Sequence, residues 1–83
     1  MLSRFDMKKL SNITLIQLRK VFIALGLSKV RVKGGHEIWA KERMIHPIII
    51  QTHITPVPER IVKNCIDNLN ITKSEFLSIL DNL

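Results

Sequence analysis

One histidine follows a short basic stretch, a combination that can move protons beside a bound anion. The stretch reads Lys-Val-Arg-Val-Lys-Gly-Gly-His and runs from Lys29 to His36. Of the common side chains, histidine titrates nearest neutral pH, so it can serve as a general acid or base. Lysine and arginine stabilise negative charge, which makes Lys29, Arg31 and Lys33 candidates for phosphate contact.

The same stretch predicts a β-hairpin. Val30 and Val32 alternate with charged residues, the period of a strand with one apolar and one charged face. Gly34-Gly35 supplies the positive backbone angles that a tight two-residue turn requires. Residues that flank such a turn face each other. We therefore expect Lys33 and His36 to project from one side of the ribbon, about 5 Å apart at Cβ.

A helix and one further strand are predicted around the two strands of this hairpin. An apolar stripe of helical period begins after Thr14, a residue type that caps helices, and ends at Gly26, with Arg19 on the opposite, polar side. Alternating or continuous apolar residues predict three strands, at about residues 27–33, 36–41 and 48–50. The third is continuously apolar, which is typical of a strand buried or half covered on both faces.

Two more helices follow the last strand. Pro58 suits the first turn of a helix that Asn70 can close in a left-handed conformation. Thr72 and Glu75 have the spacing of a capping box for the final helix. Cys65 lies on the apolar face of the first of these two helices. As the single cysteine it excludes an internal disulfide, and we interpret it as a small buried hydrophobe.

The resulting order is α-β-β-β-α-α, which predicts an α+β fold. A three-stranded antiparallel sheet with helices on one face satisfies the amphipathic patterns and leaves the other face open. In that sheet Trp39 would oppose Val30 on the core side, so Trp39 is interpreted as a core residue. The length fits one domain, residues 10–83, after a flexible leader at residues 1–9.

Positive charge is concentrated in the first half of the chain. The formal net charge is +6, and ten of the thirteen Lys and Arg residues lie within residues 1–43. Such a surface attracts polyanions, most commonly phosphate backbones. The alternative is a solvated basic face that only keeps the protein in solution.

Several classes of protein find no support in the sequence. No signal peptide or transmembrane run is visible, so we expect a cytoplasmic location and no membrane partner. No spacing of Cys, His or carboxylate residues suggests a metal site. No phosphate loop or Ser-His-Asp arrangement occurs, and we expect no small-molecule cofactor.

Three stretches of the chain resemble the HicA-type toxins of bacterial toxin-antitoxin pairs. Val-Arg-Val-Lys-Gly-Gly-His (residues 30–36), followed by Ile38 and an aromatic residue, looks like the family's Arg-x-Lys-Gly-Ser-His signature. Pro-Ile-Ile-Ile-Gln-Thr-His (residues 47–53) is similar to the family's strand ending in Pro-Val-His. The third stretch is Glu-Phe-Leu at residues 75–77.

This resemblance implies a small ribonuclease that cleaves messenger RNA, has a fold like the double-stranded-RNA-binding domain and is neutralised by a HicB-like antitoxin. His36 stands in the place of the family's catalytic histidine. Gly35 replaces the motif serine, Gln51 replaces a proline, and Arg60-Ile61 replaces the Gly-Thr pair that usually opens the second helix.

Cleavage within an RNA chain has three requirements that these residues can meet. The neighbouring 2′-hydroxyl is the nucleophile, so a base must take its proton, cations must hold the phosphate and an acid must protonate the leaving oxygen. His36 is the candidate base and His53 the candidate acid. The expected RNA-binding set comprises Lys29, Arg31, Lys33, Gly34 and Gly35. His46 is interpreted as an exposed residue of a connecting loop.

Two other functions remain open. One is a catalytically silent RNA-binding module, favoured if the Arg60-Ile61 pair has closed the site by adding charge and bulk near a helix N-terminus. The other is a structural or regulatory protein whose basic face meets only an acidic partner.

Overall fold

The computed structural model of the protein describes residues 10–83, which form three helices and three strands. In chain order these are α1 (Leu15–Ala24), β1 (Ser28–Lys33), β2 (His36–Ala40), β3 (Ile48–Gln51), α2 (Glu59–Leu69) and α3 (Lys73–Asp81). The predicted α-β-β-β-α-α order and the α+β class are confirmed. The flexible leader predicted for residues 1–9 lies outside the described residues.

The three strands form one antiparallel sheet with β2 in the centre. Lys33 pairs with His36 across the hairpin, as predicted. The register then shifts between Lys29 and Arg31, because β1 contains a β-bulge. The predicted pairing of Trp39 with Val30 is therefore wrong, and Trp39 opposes Lys29 instead.

Strand β1 is an edge strand, and all six of its residues are exposed. Val30 and Val32 retain 59% and 57% of their accessible surface. The expected apolar face of this strand is therefore not a buried one. The helices bury residues of β2 and β3, whereas they leave every residue of β1 exposed.

The sheet has one covered face and one open face, as predicted. Glu37 and Trp39 of β2 and Ile48 and Ile50 of β3 are buried on the covered side. Ile49 projects to the open side and is 57% exposed. The expectation that β3 is buried or half covered on both faces therefore holds for one face only, because its period-two alternation exposes the middle isoleucine.

The predicted helix ends are confirmed by their hydrogen bonds. Thr14 and Gln17 form a capping box at the start of α1, and Thr72 and Glu75 form another at the start of α3. Gly26 follows α1 with a φ of 87° and Asn70 closes α2 with a φ of 61°. Pro58 is the N-cap of α2, one position earlier than the first helical turn.

The core lies between the helices and the covered face of the sheet. Phe22 of α1 and Phe76 of α3 are fully buried, and the ring of Phe22 packs on Trp39 with centroids 5.4 Å apart. Cys65 is 2% exposed, which confirms its predicted place in the core. The segment before α1 also contributes, since Ile13 is buried and its carbonyl accepts a hydrogen bond of 2.8 Å from the Val57 amide.

Candidate active site

The hairpin turn presents His36 at the first position of β2, where it is exposed. Gly34 adopts a φ of 59°, which a residue with a Cβ adopts only with strain. The φ of Gly35 lies outside this left-handed region. The prediction of positive angles at both glycines therefore holds for Gly34 alone, and Gly35 has a different role.

Gly35 makes room for the imidazole of His53. A Cβ placed on Gly35 would lie 2.7 Å from Nδ1 and 2.9 Å from Cε1 of His53, closer than such atoms approach in proteins. Two hydrogen bonds also join Thr52 to this turn. The Thr52 amide and hydroxyl both donate to the Gly35 carbonyl, at 2.8 and 3.2 Å. The chain after β3 is thus held against the turn that carries His36.

The bulge divides the three cations of β1 between the two sides of the sheet. Arg31 pairs with Ile38 and Lys33 pairs with His36, so both project to the open face. Lys29 pairs with buried Trp39, and its Nζ lies 3.8 Å from Oε2 of Glu37 on the covered side. The expected single row of cations is therefore wrong at Lys29.

Glu37 is the buried centre of a charged cluster on the covered face. It is 4% exposed, and its two carboxylate oxygens accept hydrogen bonds from Nε of Arg19 at 3.0 Å and from a terminal nitrogen of Arg19 at 2.6 Å. The indole of Trp39 donates to the same carboxylate at 3.0 Å. Hydrogen bonding from Arg19 holds the pKa of Glu37 below its ordinary value, against the opposing effect of burial.

Sequence reasoning missed this cluster, although a signal for it was present. The helical pattern predicts that Arg19 faces solvent, but its side chain is half-buried against the sheet. Trp39 was expected on the core side, and the period of two in a strand puts Glu37 on that same side. An acidic residue in a core position needs a cationic partner, and α1 supplies it.

A cavity of about 320 Å³ lies between β3 and the first turn of α2, beside His36. Its polar lining consists of His36, Gln51 and Arg60. The cross-strand pairing of His36 with Gln51 places these two side chains on the same face of the sheet. The apolar remainder of the lining comprises Ile49, Ile50, Ile54, Val57, Pro58 and Ile61.

The Arg60-Ile61 pair forms a wall of this cavity, and the space beside His36 remains open. Both residues belong to the first turn of α2, which directs them toward β3. An arginine near a histidine can bind a phosphate by charge and by paired hydrogen bonds. Arg60 and Gln51, treated from sequence as departures from a motif, are therefore the groups that share the cavity with His36.

The three histidines occupy different places. His53 packs on the turn and is not among the residues that line the cavity. His46 is exposed in the connection between β2 and β3, as predicted. Within residues 10–83, no group of three or more His, Cys, Asp or Glu side chains is arranged to hold a metal ion.

Comparisons with protein-family models, with curated proteins and with solved structures find no match to this chain. In the part of the chain that the structure describes, no helix has the length and apolar character needed to cross a membrane.

Proposed function

We propose that this protein is an endoribonuclease that uses His36 as a general acid or base. The observation that carries the proposal is the placement of His36. It is exposed, it lies beside Arg31 and Lys33 on the open face, and it lines a cavity that also contains Arg60. An imidazole next to cations can transfer a proton at a phosphodiester whose charge the cations stabilise.

The reaction follows from the groups present. His36 takes the proton of the 2′-hydroxyl, whose oxygen attacks the neighbouring phosphorus. The bond from phosphorus to the 5′-oxygen breaks, and that oxygen receives a proton. Arg60 and the cations of the open face neutralise the charge that develops on the phosphate oxygens. The products carry a 2′,3′-cyclic phosphate on one fragment and a 5′-hydroxyl on the other.

His53 is the candidate acid for the leaving oxygen. Its ring lies against Gly35, the residue directly before His36 in the chain. Its support is this proximity to the turn and the two hydrogen bonds from Thr52 that fix the adjoining backbone. Because only side chains act in this scheme, cleavage is expected to continue in the presence of a metal chelator.

The biological role that we propose is that of a HicA-like toxin. It would act on messenger RNA in the cytoplasm, adopt a variant of the double-stranded-RNA-binding fold and be neutralised by an acidic, HicB-like antitoxin. The support is the likeness of residues 30–36 and 47–53 to the family's motifs, together with the confirmed order of the elements. Growth arrest with RNA breakdown on induced expression would test this role.

The ends of the RNA fragments test the reaction most specifically. The purified protein would be incubated with a single-stranded RNA in EDTA, and the fragments labelled with polynucleotide kinase. Fragments with 5′-hydroxyl ends accept label without prior phosphatase treatment. A matched oligonucleotide with one 2′-deoxyribose at the cut site should resist cleavage there, because it lacks the nucleophile.

A protein that binds this RNA without cutting it would instead be the catalytically silent RNA-binding module. A protein that neither binds nor cuts would leave the basic face as a surface for an acidic protein partner.

A further inference from the structure

The cavity beside His36 has more apolar wall than a phosphate site needs. Ile49 and Ile54 are exposed, and Ile61 is half-buried, yet all three line the same space as Arg60 and Gln51. Phosphate groups are recognised by charge and hydrogen bonds. Aliphatic side chains favour binding only when an apolar part of the ligand covers them and removes their surface from water. A ligand for the whole cavity must therefore carry an apolar part next to its anionic part.

We propose that the cavity receives one unstacked nucleobase of a single-stranded RNA, with the adjoining phosphate held between His36 and Arg60. The inference rests on the proposed function and adds the form of the substrate to it. A nucleobase has two apolar faces that can contact the isoleucine walls and a polar edge that needs hydrogen-bonding partners. A volume of about 320 Å³ is at the small end of the range for small-molecule sites, about 300 to 1,000 Å³.

Gln51 is placed to contact the edge of that base. Its amide offers both donors and an acceptor, so it can form a pair of hydrogen bonds with a base edge. Its position across from His36 puts this amide next to the reacting phosphate. A base inside a duplex cannot reach such a cavity without leaving the stack. The cavity therefore selects single-stranded RNA, and the nucleotide next to the scissile bond influences where the chain is cut.

The isoleucine side chains provide built-in reporters for this site. The protein would be labelled at the isoleucine methyl groups and titrated with the four nucleoside 3′-monophosphates, with ribose 5-phosphate and with inorganic phosphate. Ile49, Ile54 and Ile61 report on the cavity. Ile45, which is 86% exposed at a different place, and Ile16, exposed on α1, are matched controls.

The expected result is a saturable shift of the methyl resonances of Ile49, Ile54 and Ile61 with nucleotides, larger than any shift with ribose 5-phosphate or phosphate. Ile45 and Ile16 should stay in place. Gln51→Ala should reduce the affinity for the best nucleotide by roughly two- to tenfold, the worth of one neutral hydrogen bond. Equal shifts with ribose 5-phosphate and nucleotides would show a phosphate site only and would overturn the proposal, as would unshifted cavity methyls at saturating nucleotide.

This titration is independent of the proposed ribonuclease activity, because it measures binding and involves no cut. Nucleotide-dependent shifts in a protein that cleaves no RNA would reject the enzyme and retain the base-binding cavity. If the protein cleaves RNA but nucleotides do not shift the methyl resonances of the cavity, the proposed enzyme activity stands and the cavity is not its base-binding site.

Discussion

The imidazole of His53 occupies the space in which a side chain at Gly35 would lie, with Nδ1 only 2.7 Å from the position of the absent Cβ. The absence of a side chain at this turn is therefore what allows the loop after β3 to bring its histidine onto the hairpin. In the resemblance to the HicA-type signature, Gly35 stands where that signature has a serine. In the folded chain it is the condition for the position of His53.

Gly35→Ala should displace the His53 ring with little effect on stability. The backbone of Gly35 needs no left-handed angle, and the exposed imidazole can rotate away, so we expect the free energy of unfolding to change by less than about 0.5 kcal/mol. If His53 is the acid, cleavage should fall by about a hundredfold. The double variant Gly35→Ala/His53→Ala should then cleave at the same rate as the single variant His53→Ala.

Gly34→Ala is the matched control. Among the described residues nothing lies within 4 Å of a Cβ at Gly34, but its φ of 59° is strained for alanine. It should cost about 1 to 2 kcal/mol by chemical denaturation and leave the NMR resonances of the His53 ring in place. Unchanged His53 resonances in Gly35→Ala would contradict the contact described above.

The cluster around Glu37 should give stability with a defined pH dependence. Arg19→Ala should lower the free energy of unfolding by about 1.5 to 3 kcal/mol at neutral pH, because it removes charge-assisted hydrogen bonds to a buried carboxylate. Lys20→Ala, on an exposed neighbour, is the control and should stay within about 0.5 kcal/mol.

The pH dependence follows from the lowered pKa of Glu37 in the folded state. A carboxyl of this kind stabilises the fold fully above its unfolded pKa of about 4.3 and loses that contribution as pH falls through its lower folded value. The difference between the parent and Glu37→Gln should therefore be constant at neutral pH and shrink only below about pH 4.3. A difference that grows as the pH falls would contradict the assignment.

Salt dependence should separate the cations that the β-bulge places on opposite sides. Arg31→Ala and Lys33→Ala should each reduce the slope of log affinity against log salt for single-stranded RNA by about 0.7. Lys29→Ala should leave the slope nearly unchanged, because its ammonium lies near Glu37 on the covered face. Equal losses for all three variants would contradict the placement of Lys29 on the covered face, apart from Arg31 and Lys33.

Local chemistry made most of the fold predictable from sequence. The capping residues Thr14 and Thr72 and the left-handed Gly26 and Asn70 all act within a few residues, so the helix ends could be read directly. The bulge in β1 could not, because no proline or glycine marks it. That single extra residue moved Lys29 to the other side of the sheet.

The candidate site was predictable only where it depends on the turn. His36 follows from Gly34-Gly35 and the strand pattern, and its exposed position beside Lys33 is confirmed. The cavity depends on the contact between β3 and the first turn of α2, which are brought together by tertiary packing. The place of Arg60 and Gln51 beside His36 therefore had no local signal.

Cys65 tests the packing of α2 against the core. Burial raises the pKa of its thiol to about 12, so the native protein should react slowly with a thiol-specific reagent near pH 8, where the unfolded chain reacts readily. Cys65→Ser should destabilise the fold by roughly 1 to 3 kcal/mol, because the hydroxyl would be buried without a partner. Fast native labelling with unchanged stability would contradict a buried Cys65.

The direct test of the central claim is the cleavage rate of His36→Ala on single-stranded RNA, with His46→Ala as the matched exposed histidine. Because His36 is exposed at the end of β2, the variant should keep its free energy of unfolding within about 0.5 kcal/mol of the parent. It should also keep most of its RNA affinity, since phosphate contacts carry the binding. Its cleavage rate should fall by roughly two to four orders of magnitude, the usual worth of one general acid or base, and His46→Ala should cut like the parent. A folded His36→Ala protein that cuts at the parental rate would contradict the account.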